Sequence, residues 1–172
     1  MALILLRHTR PDVDAGTCYG RRDVGLAATF AEEAEALLSQ LPAFDRVVTS
    51  PLSRCRRLAD YIAGQTSRSV TEDDRLGEMD FGCWEGWAWS ALPREEVDAW
   101  ANDFLHARPH GGESVAMLRA RALEALDAYR KLEGDTLIVT HGGVIKAALA
   151  MDETAESHAT TLDFGSFVTL ND

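Results

Sequence analysis

Cysteine, positive charge and long apolar stretches are all scarce in this chain of 172 residues, and each scarcity removes a class of protein. Cys18, Cys55 and Cys83 are odd in number, widely spaced and never in a C-x-x-C pair. That pattern speaks against a disulfide framework or a zinc site and fits reduced thiols in the cytoplasm. Lys and Arg number 17 against 28 Asp and Glu, a formal net charge of -11. Duplex nucleic acid is usually met by a basic footprint, so it is not the expected partner. No run approaches the roughly 20 apolar residues that span a bilayer. The apolar residues 2–6 are too few, and lack the basic flank, for a signal peptide. The expectation is a cytoplasmic protein that engages neither nucleic acid nor membrane. A local pocket of arginines can still hold an anion, because net charge governs solubility and steering rather than one site.

What is present is an ordinary globular composition, 46% hydrophobic and 26% charged. Without repeats, low-complexity tracts or a Pro/Gly/Ser linker, residues 1–172 are expected to form one domain. No pattern specifies an oligomeric state. Short apolar runs at Leu3–Arg7, Arg46–Thr49, Thr136–Thr140 and 164–170 read as strands. Helical patterns lie between them, at 27–41, 52–64, 114–132 and 144–151. In the second, Leu52, Cys55, Leu58, Ala59 and Ile62 share a face; in the third, Leu118, Ala122, Leu126 and Tyr129 recur at helical spacing. Strand alternating with amphipathic helix predicts a layered α/β fold with a mostly parallel sheet. Ligands of such sheets collect beyond the carboxyl ends of the strands. Arg7–His8, Ser50 and His141 each lie just past a predicted strand end.

Each of these segments offers chemistry suited to an anion. His8 can attack an electrophile as neutral imidazole, and a neighbouring guanidinium would lower its pKa and keep it so. A strand-end histidine that merely bonds a carbonyl is the plainer alternative. Ser50-Pro51-Leu52-Ser53-Arg54 leaves a strand and enters a helix. Its free N–H groups and Arg54 can hold an anion, with Pro51 near the first helical position. For Arg54 a surface ion pair is an equal alternative. In His141-Gly142-Gly143, the glycines permit a tight turn, close backbone approach to a ligand and an anion nest, and His141, if protonated, adds charge. Glu78 suits acid–base work if partly desolvated, although spacing alone does not choose it over Asp80 or Asp74.

Taken in order, Arg7-His8, Ser50-Pro51-Leu52-Ser53-Arg54-Cys55, Glu78 and His141-Gly142-Gly143-Val144-Ile145 resemble the motifs of the histidine phosphatase superfamily, the phosphoglycerate-mutase-like group. The resemblance covers nearly the whole chain. It implies a three-layer α/β/α sandwich around a mostly parallel sheet, and a small phosphomonoester as substrate. It implies that His8 is transiently phosphorylated, that Arg7, Arg54 and His141 hold the phosphoryl oxygens, and that Glu78 gives and then takes a proton. Two arginines and a histidine can offset the charge of a transferring phosphoryl group without a metal, so neither metal nor cofactor is expected.

The family's usual glycine after the histidine is replaced by Thr9, and its usual loop Thr/Ser and Asn by Pro11 and Asp14. Thr9 can still donate a hydrogen bond; a phosphate role is not extended to Asp14, whose charge would repel the ligand. Arg-His-Thr-x-Pro followed by Gly16-Thr17-Cys18-Tyr19-Gly20-Arg21-Arg22-Asp23 resembles a subgroup, the α-ribazole phosphatases of cobalamin biosynthesis. That likeness implies substrate-binding roles for Gly20 and Arg21 beside Thr9 and Gly142. It implies α-ribazole 5′-phosphate, or the corresponding cobalamin phosphate, as substrate. Phe81-Gly82-x-Trp84-Glu85-Gly86 and Gly111-Gly112-Glu113-Ser114 also fit the subgroup, although related phosphatases share them. Trp84, Trp87 and Trp89 either pack a loop over the core or stack on a flat base. Ser114 reads as an N-cap. His106, His110 and His158 have no evident partner in the sequence. The alternatives are a sugar-phosphate phosphatase or phosphoglycerate-mutase-like enzyme of the same superfamily, and a non-catalytic phosphate-binding module. Retention of all five candidate catalytic residues speaks against the module.

Overall fold

The computed structural model describes residues 1–171. Its sheet is built from β1 (Leu3–Arg7), β2 (Arg46–Thr49), β3 (Val70–Glu72), β4 (Thr136–Thr140) and β5 (Phe167–Leu170), in the spatial order β3-β2-β4-β1-β5. The pairs β1–β4, β2–β4 and β2–β3 are parallel, and β5 runs antiparallel along the edge at β1. Among the described residues there are five α-helices, α1 (Phe30–Leu38), α2 (Ser53–Thr66), α3 (Arg94–Asn102), α4 (Val115–Arg130) and α5 (Gly142–Leu149), with short 3-10 turns between α2 and α3. Among the described residues no helix is long and apolar enough to cross a membrane.

The central strands β1, β2 and β4 are continuously apolar through their middles, at residues 3–6, 47–48 and 137–139, because both faces of the sheet are covered. Side chains alternate along β1, so Leu3 and Leu5 enter one core with Val48, Ile138 and residues of α4 and α5. Ile4 and Leu6 enter the opposite core with Val47, Leu137, Val139 and residues of α1 and α2. The result is the expected three-layer α/β/α sandwich. Register sets the functional edge: Arg7 pairs with Thr140, and Thr49 with Val139. Three strands therefore end level. The backbone bonds His8 N–H to Thr140 O (3.1 Å) and Ser50 N–H to Val139 O (3.0 Å) carry that alignment one residue further.

Several boundaries differ from the sequence reading, each for a physical reason. The last strand begins at Phe167, because Phe164 and Gly165 form a turn in which Gly165, at φ 67°, donates to the carbonyls of Arg7 and His8. Helix α2 starts at Ser53, leaving Pro51 just outside; the free N–H of Ser53 goes to Asp23 Oδ1 (2.9 Å). Helix α5 starts at Gly142, so the two glycines form its first turn rather than a tight loop. Ser114 does cap α4, accepting from Met117 N–H at 3.2 Å. Strand β3 and helix α3 were not anticipated: β3 has three residues at the sheet edge, and α3 buries none of its residues fully.

Candidate active site

Four segments meet beyond the level strand ends. His8 and His141 are 1% and 0% exposed, with ring centroids 5.2 Å apart. The His8 Nδ1 lies 2.7 Å from the Thr9 carbonyl oxygen. A carbonyl only accepts, so Nδ1 carries the proton and Nε2 keeps its lone pair. His141 Nε2 lies 2.7 Å from Ser50 Oγ and 3.4 Å from Cys55 Sγ, which orients the second ring. Arg54 is wholly buried, donating through its terminal nitrogens to Gly20 O (2.6 Å) and Arg22 O (2.9 Å). Arg7 donates to Leu162 O at 2.5 Å, and its guanidinium carbon lies 3.9 Å above the Phe164 ring. Behind these anchors, Arg7 Nε, Arg54 Nε and Thr9 Oγ1 are buried without a hydrogen-bond partner. Buried donors are rarely left unpaired, and three together mark a place for an acceptor-rich ligand.

Burial is the largest influence on both histidines. It lowers the His8 pKa to about 3, assisted by the charges of Arg54 and Arg7 and partly opposed by the Thr9 hydrogen bond. The guanidinium effect expected from sequence is present but ranks below burial and the Thr9 hydrogen bond. His141 is also held well below its ordinary value, by burial first and then by His8, Arg54, Arg121 and Arg7. Both rings are therefore neutral at pH 7, so the condition on which His141 would add a positive charge, its protonation, is opposed by its burial. A phosphate dianion placed among them would reverse the sign of the local field and favour protonation.

Glu78, half-buried, sits at the start of α5. Its Oε2 accepts from Gly143 N–H (3.2 Å), and its Oε1 accepts from the next backbone N–H, of Met79 (2.8 Å). Gly143 is glycine for space: a Cβ there would collide with the Glu78 carboxylate. Gly142 lies against Arg7, with 3.5 Å between a Cβ position and the guanidinium carbon. Gly20 adopts φ 39° with its carbonyl on Arg54 and no room for a side chain, so what it contributes is an anchor for Arg54. Arg21 is exposed and does not line the cavity; its backbone N–H is held by Glu85 at 2.8 Å. Asp80 and Asp74 point to other work: Asp80 accepts from Gly82 N–H, and Asp74 opens a 3-10 turn.

A cavity of about 490 Å³ opens over this centre. Arg7, Glu78 and Gly142 line it directly, while His8, Arg54 and His141 pack against the lining residues Phe164, Tyr19 and Gly142. The far side is aromatic, with Phe81, Trp89, Trp100 and Phe104, and it also bears Lys146 and His158. Of the tryptophans singled out in the sequence, only Trp89 reaches the cavity, stacked at 21° on Trp100. Trp84 is buried, donating to Glu96 at 2.7 Å, and Trp87 is 59% exposed. Asp14 does not line this cavity; it lies in a separate depression with Asp12 and Asp23. His110 is structural, accepting from Gly112 N–H, and His106 is exposed. Tyr19, Trp100, Lys146, Phe164 and Arg121 escaped sequence reasoning, since none belongs to a strand-end motif.

A model of the histidine phosphatase superfamily, branch 1, matches residues 3–164. The adenosylcobalamin/alpha-ribazole phosphatase of Escherichia coli K12 is 31% identical over 160 residues, covering 87% of this chain and 78% of that protein. The glucosyl-3-phosphoglycerate phosphatase of Mycolicibacterium vanbaalenii is 30% identical over 170 residues, covering 86% and 72%. Among solved structures, a putative alpha-ribazole-5′-P phosphatase from Escherichia coli K-12 superposes with a TM-score of 0.87 at 27% identity, over 98% of this chain and 89% of that one.

Proposed function

The chain belongs to the histidine phosphatase superfamily, branch 1, and is a hydrolase of phosphoric monoesters; from that premise we propose that it works through a phosphohistidine on His8. The observation that carries this reading is the lock of His8 Nδ1 on the Thr9 carbonyl, which leaves a neutral ring with Nε2 free. Nε2 attacks phosphorus as the ester oxygen departs. Arg7, Arg54 and a hydrogen bond from His141 offset charge on the three equatorial oxygens. Glu78 protonates the leaving oxygen, then takes a proton from the water that hydrolyses the phosphohistidine. The product phosphate leaves last. Thr9 Oγ1 and the Gly142 N–H at the start of α5 complete the oxygen cradle.

The finer reading is α-ribazole 5′-phosphate, or adenosylcobalamin 5′-phosphate, as substrate. The Arg-His-Thr-x-Pro and Gly16–Asp23 motifs support it, as does the presence of aromatic side chains in the cavity lining, which could contact a benzimidazole. A second reading, a phosphatase of phosphorylated sugar acids, is favoured by one observation: Lys146 lines the cavity with no ion-pair partner among the described residues. A cation there suits a carboxylate on the leaving group.

Two experiments test these readings. Brief exposure to labelled substrate is expected to trap an acid-labile, alkali-stable label on the wild type and none on His8→Ala. Label on the variant would remove His8 as nucleophile. A side-by-side comparison of kcat/KM for α-ribazole 5′-phosphate, 3-phosphoglycerate and simple sugar phosphates then separates the substrates. The ribazole reading expects the ribazole ester to lead by about tenfold or more, a difference near 1.4 kcal/mol. A lead for 3-phosphoglycerate that disappears in Lys146→Met transfers the assignment to the sugar-acid reading.

A further inference from the structure

Glu78 stands on a segment with no ladder of its own, between the 3-10 turns Asp74–Leu76 and Gly82–Trp84. A loop backbone must find other partners for its carbonyls, and here a single side chain supplies most of them. Arg121, on α4, donates through Nη1 to Arg75 O and Gly77 O, both at 2.7 Å, and through Nη2 to Glu78 O at 3.0 Å. Its Nε and Nη2 also donate to the two oxygens of Glu113, at 2.7 and 2.8 Å. These five bonds use all five guanidinium N–H groups. The one intervening carbonyl, of Leu76, accepts from Thr140 Oγ1 at 2.8 Å. Glu113 in turn grips the far side of the loop: its own N–H donates to Asp80 O at 2.7 Å, and its Oε2 accepts from Asp80 N–H at 3.4 Å. Both partners are largely shielded from water, at 18% and 10% side-chain exposure.

We propose that Arg121, oriented by Glu113, is the positioning residue that holds the Glu78 carboxyl at proton-transfer distance from the leaving oxygen. The inference rests on Glu78 as proton donor, the reading given above. Arg121 does not line the cavity, so it acts on the reaction through Glu78 rather than by touching substrate. Proton transfer requires heavy atoms about 2.6–3.2 Å apart, and a misplacement near 1 Å can cost about 10²-fold. The arrangement also explains why arginine stands there. Lysine has three donors on a flexible stem and cannot bridge three carbonyls and a carboxylate in one plane. The Gly-Gly-Glu-Ser motif acquires a role from the same geometry: its glutamate orients the arginine, and its serine caps the helix that carries it.

Leaving-group dependence tests the proposal, because a poor leaving group needs the proton and a good one does not. kcat/KM would be measured for glycerol 3-phosphate and 4-nitrophenyl phosphate with wild type, Arg121→Lys, Glu113→Gln and Glu78→Gln. Arg121→Lys is expected to lose about 10²-fold on the alkyl ester and no more than about threefold on the aryl ester. Its inhibition constant for inorganic phosphate should stay within about twofold, since the phosphate cradle is untouched. Glu113→Gln should show the same pattern with a smaller loss, and it carries the test if the lysine variant does not fold. Equal losses on both esters, or a matching rise in the phosphate inhibition constant, would overturn the proposal. Glu78→Gln supplies the separate check. If it shows the leaving-group pattern and the Arg121 and Glu113 variants do not, the brace alone falls. If Glu78→Gln shows none, the assignment of Glu78 falls and takes the brace with it.

Discussion

The two ends of the cavity are built on different principles. At the phosphate end, His8 and His141 follow directly from β1 and β4, Arg54 stands in the first turn of the helix after β2, and all three are essentially inaccessible. Their positions are set by sheet register and by backbone carbonyls. At the far end, Trp89 comes from a 3-10 turn, Trp100 from a helix with no fully buried residue, Lys146 from α5, and His158 packs on Phe104. In the proposed mechanism, phosphoryl transfer would fall to the end held by the sheet, and contact with the leaving group to an end built largely from turns and a partly exposed helix.

The comparison can be broken most severely at Arg54. Arg54→Lys keeps the charge but loses the planar fork that spans Gly20 O and Arg22 O. A loss of about 10²–10³-fold in kcat is expected, as for removal of one charge-stabilising donor, with a smaller change in KM. A loss below tenfold would show that the phosphate end tolerates displacement. Acid sensitivity is the next effect. His8 has a folded pKa near 3 against 6.5 for the free side chain, so the unfolded chain binds the extra proton first. Its contribution to stability is whole above pH 6.5 and is lost as pH falls toward 3, at up to about 1.4 kcal/mol per pH unit. His141 adds in the same direction. Urea midpoints at pH 7 and pH 4.5 should therefore separate more in wild type than in His8→Asn; identical separations would contradict a buried neutral His8.

The far end should respond more gently. Trp89→Ala is expected to raise KM about three- to tenfold for a phosphate ester with an aromatic leaving group, in line with one aromatic contact. kcat for glycerol 3-phosphate should hardly move. Trp87→Ala, at a side chain turned to solvent, should leave both substrates within about twofold. If Trp87 rather than Trp89 alters KM, the wall has been placed on the wrong side of the loop.

Much of the phosphate end was legible in the sequence because its residues adjoin strand termini. An apolar run that stops at Arg7-His8 or Thr140-His141 reveals both the strand and the edge where it ends. The aromatic wall was only half legible. Three nearby tryptophans were visible, but which of them faces the cavity depends on how a stretch of 3-10 turns is folded, and no periodicity encodes that. Of the three, Trp84 packs into the core, Trp87 turns to solvent and Trp89 lines the cavity. Arg21 looked like a ligand residue within its motif, yet it is Glu85, holding the N–H groups of Arg21, Arg22 and Phe81, that explains the motif's geometry. Arg121 was invisible because three of its five acceptors are backbone carbonyls of residues 75, 77 and 78, far from it along the chain, and no side-chain pattern marks a backbone acceptor.

The sequence by itself determined the layered α/β architecture, the edge of the sheet that carries the site, and the residue types that meet there. Strand and helix periodicity, with the residues that follow each strand, are local properties that do not need the rest of the fold. Only the tertiary structure decided the protonation of the two histidines, the brace around Glu78 and the membership of the aromatic wall. Each of these depends on burial or on partners distant in sequence, and both are set when the layers pack.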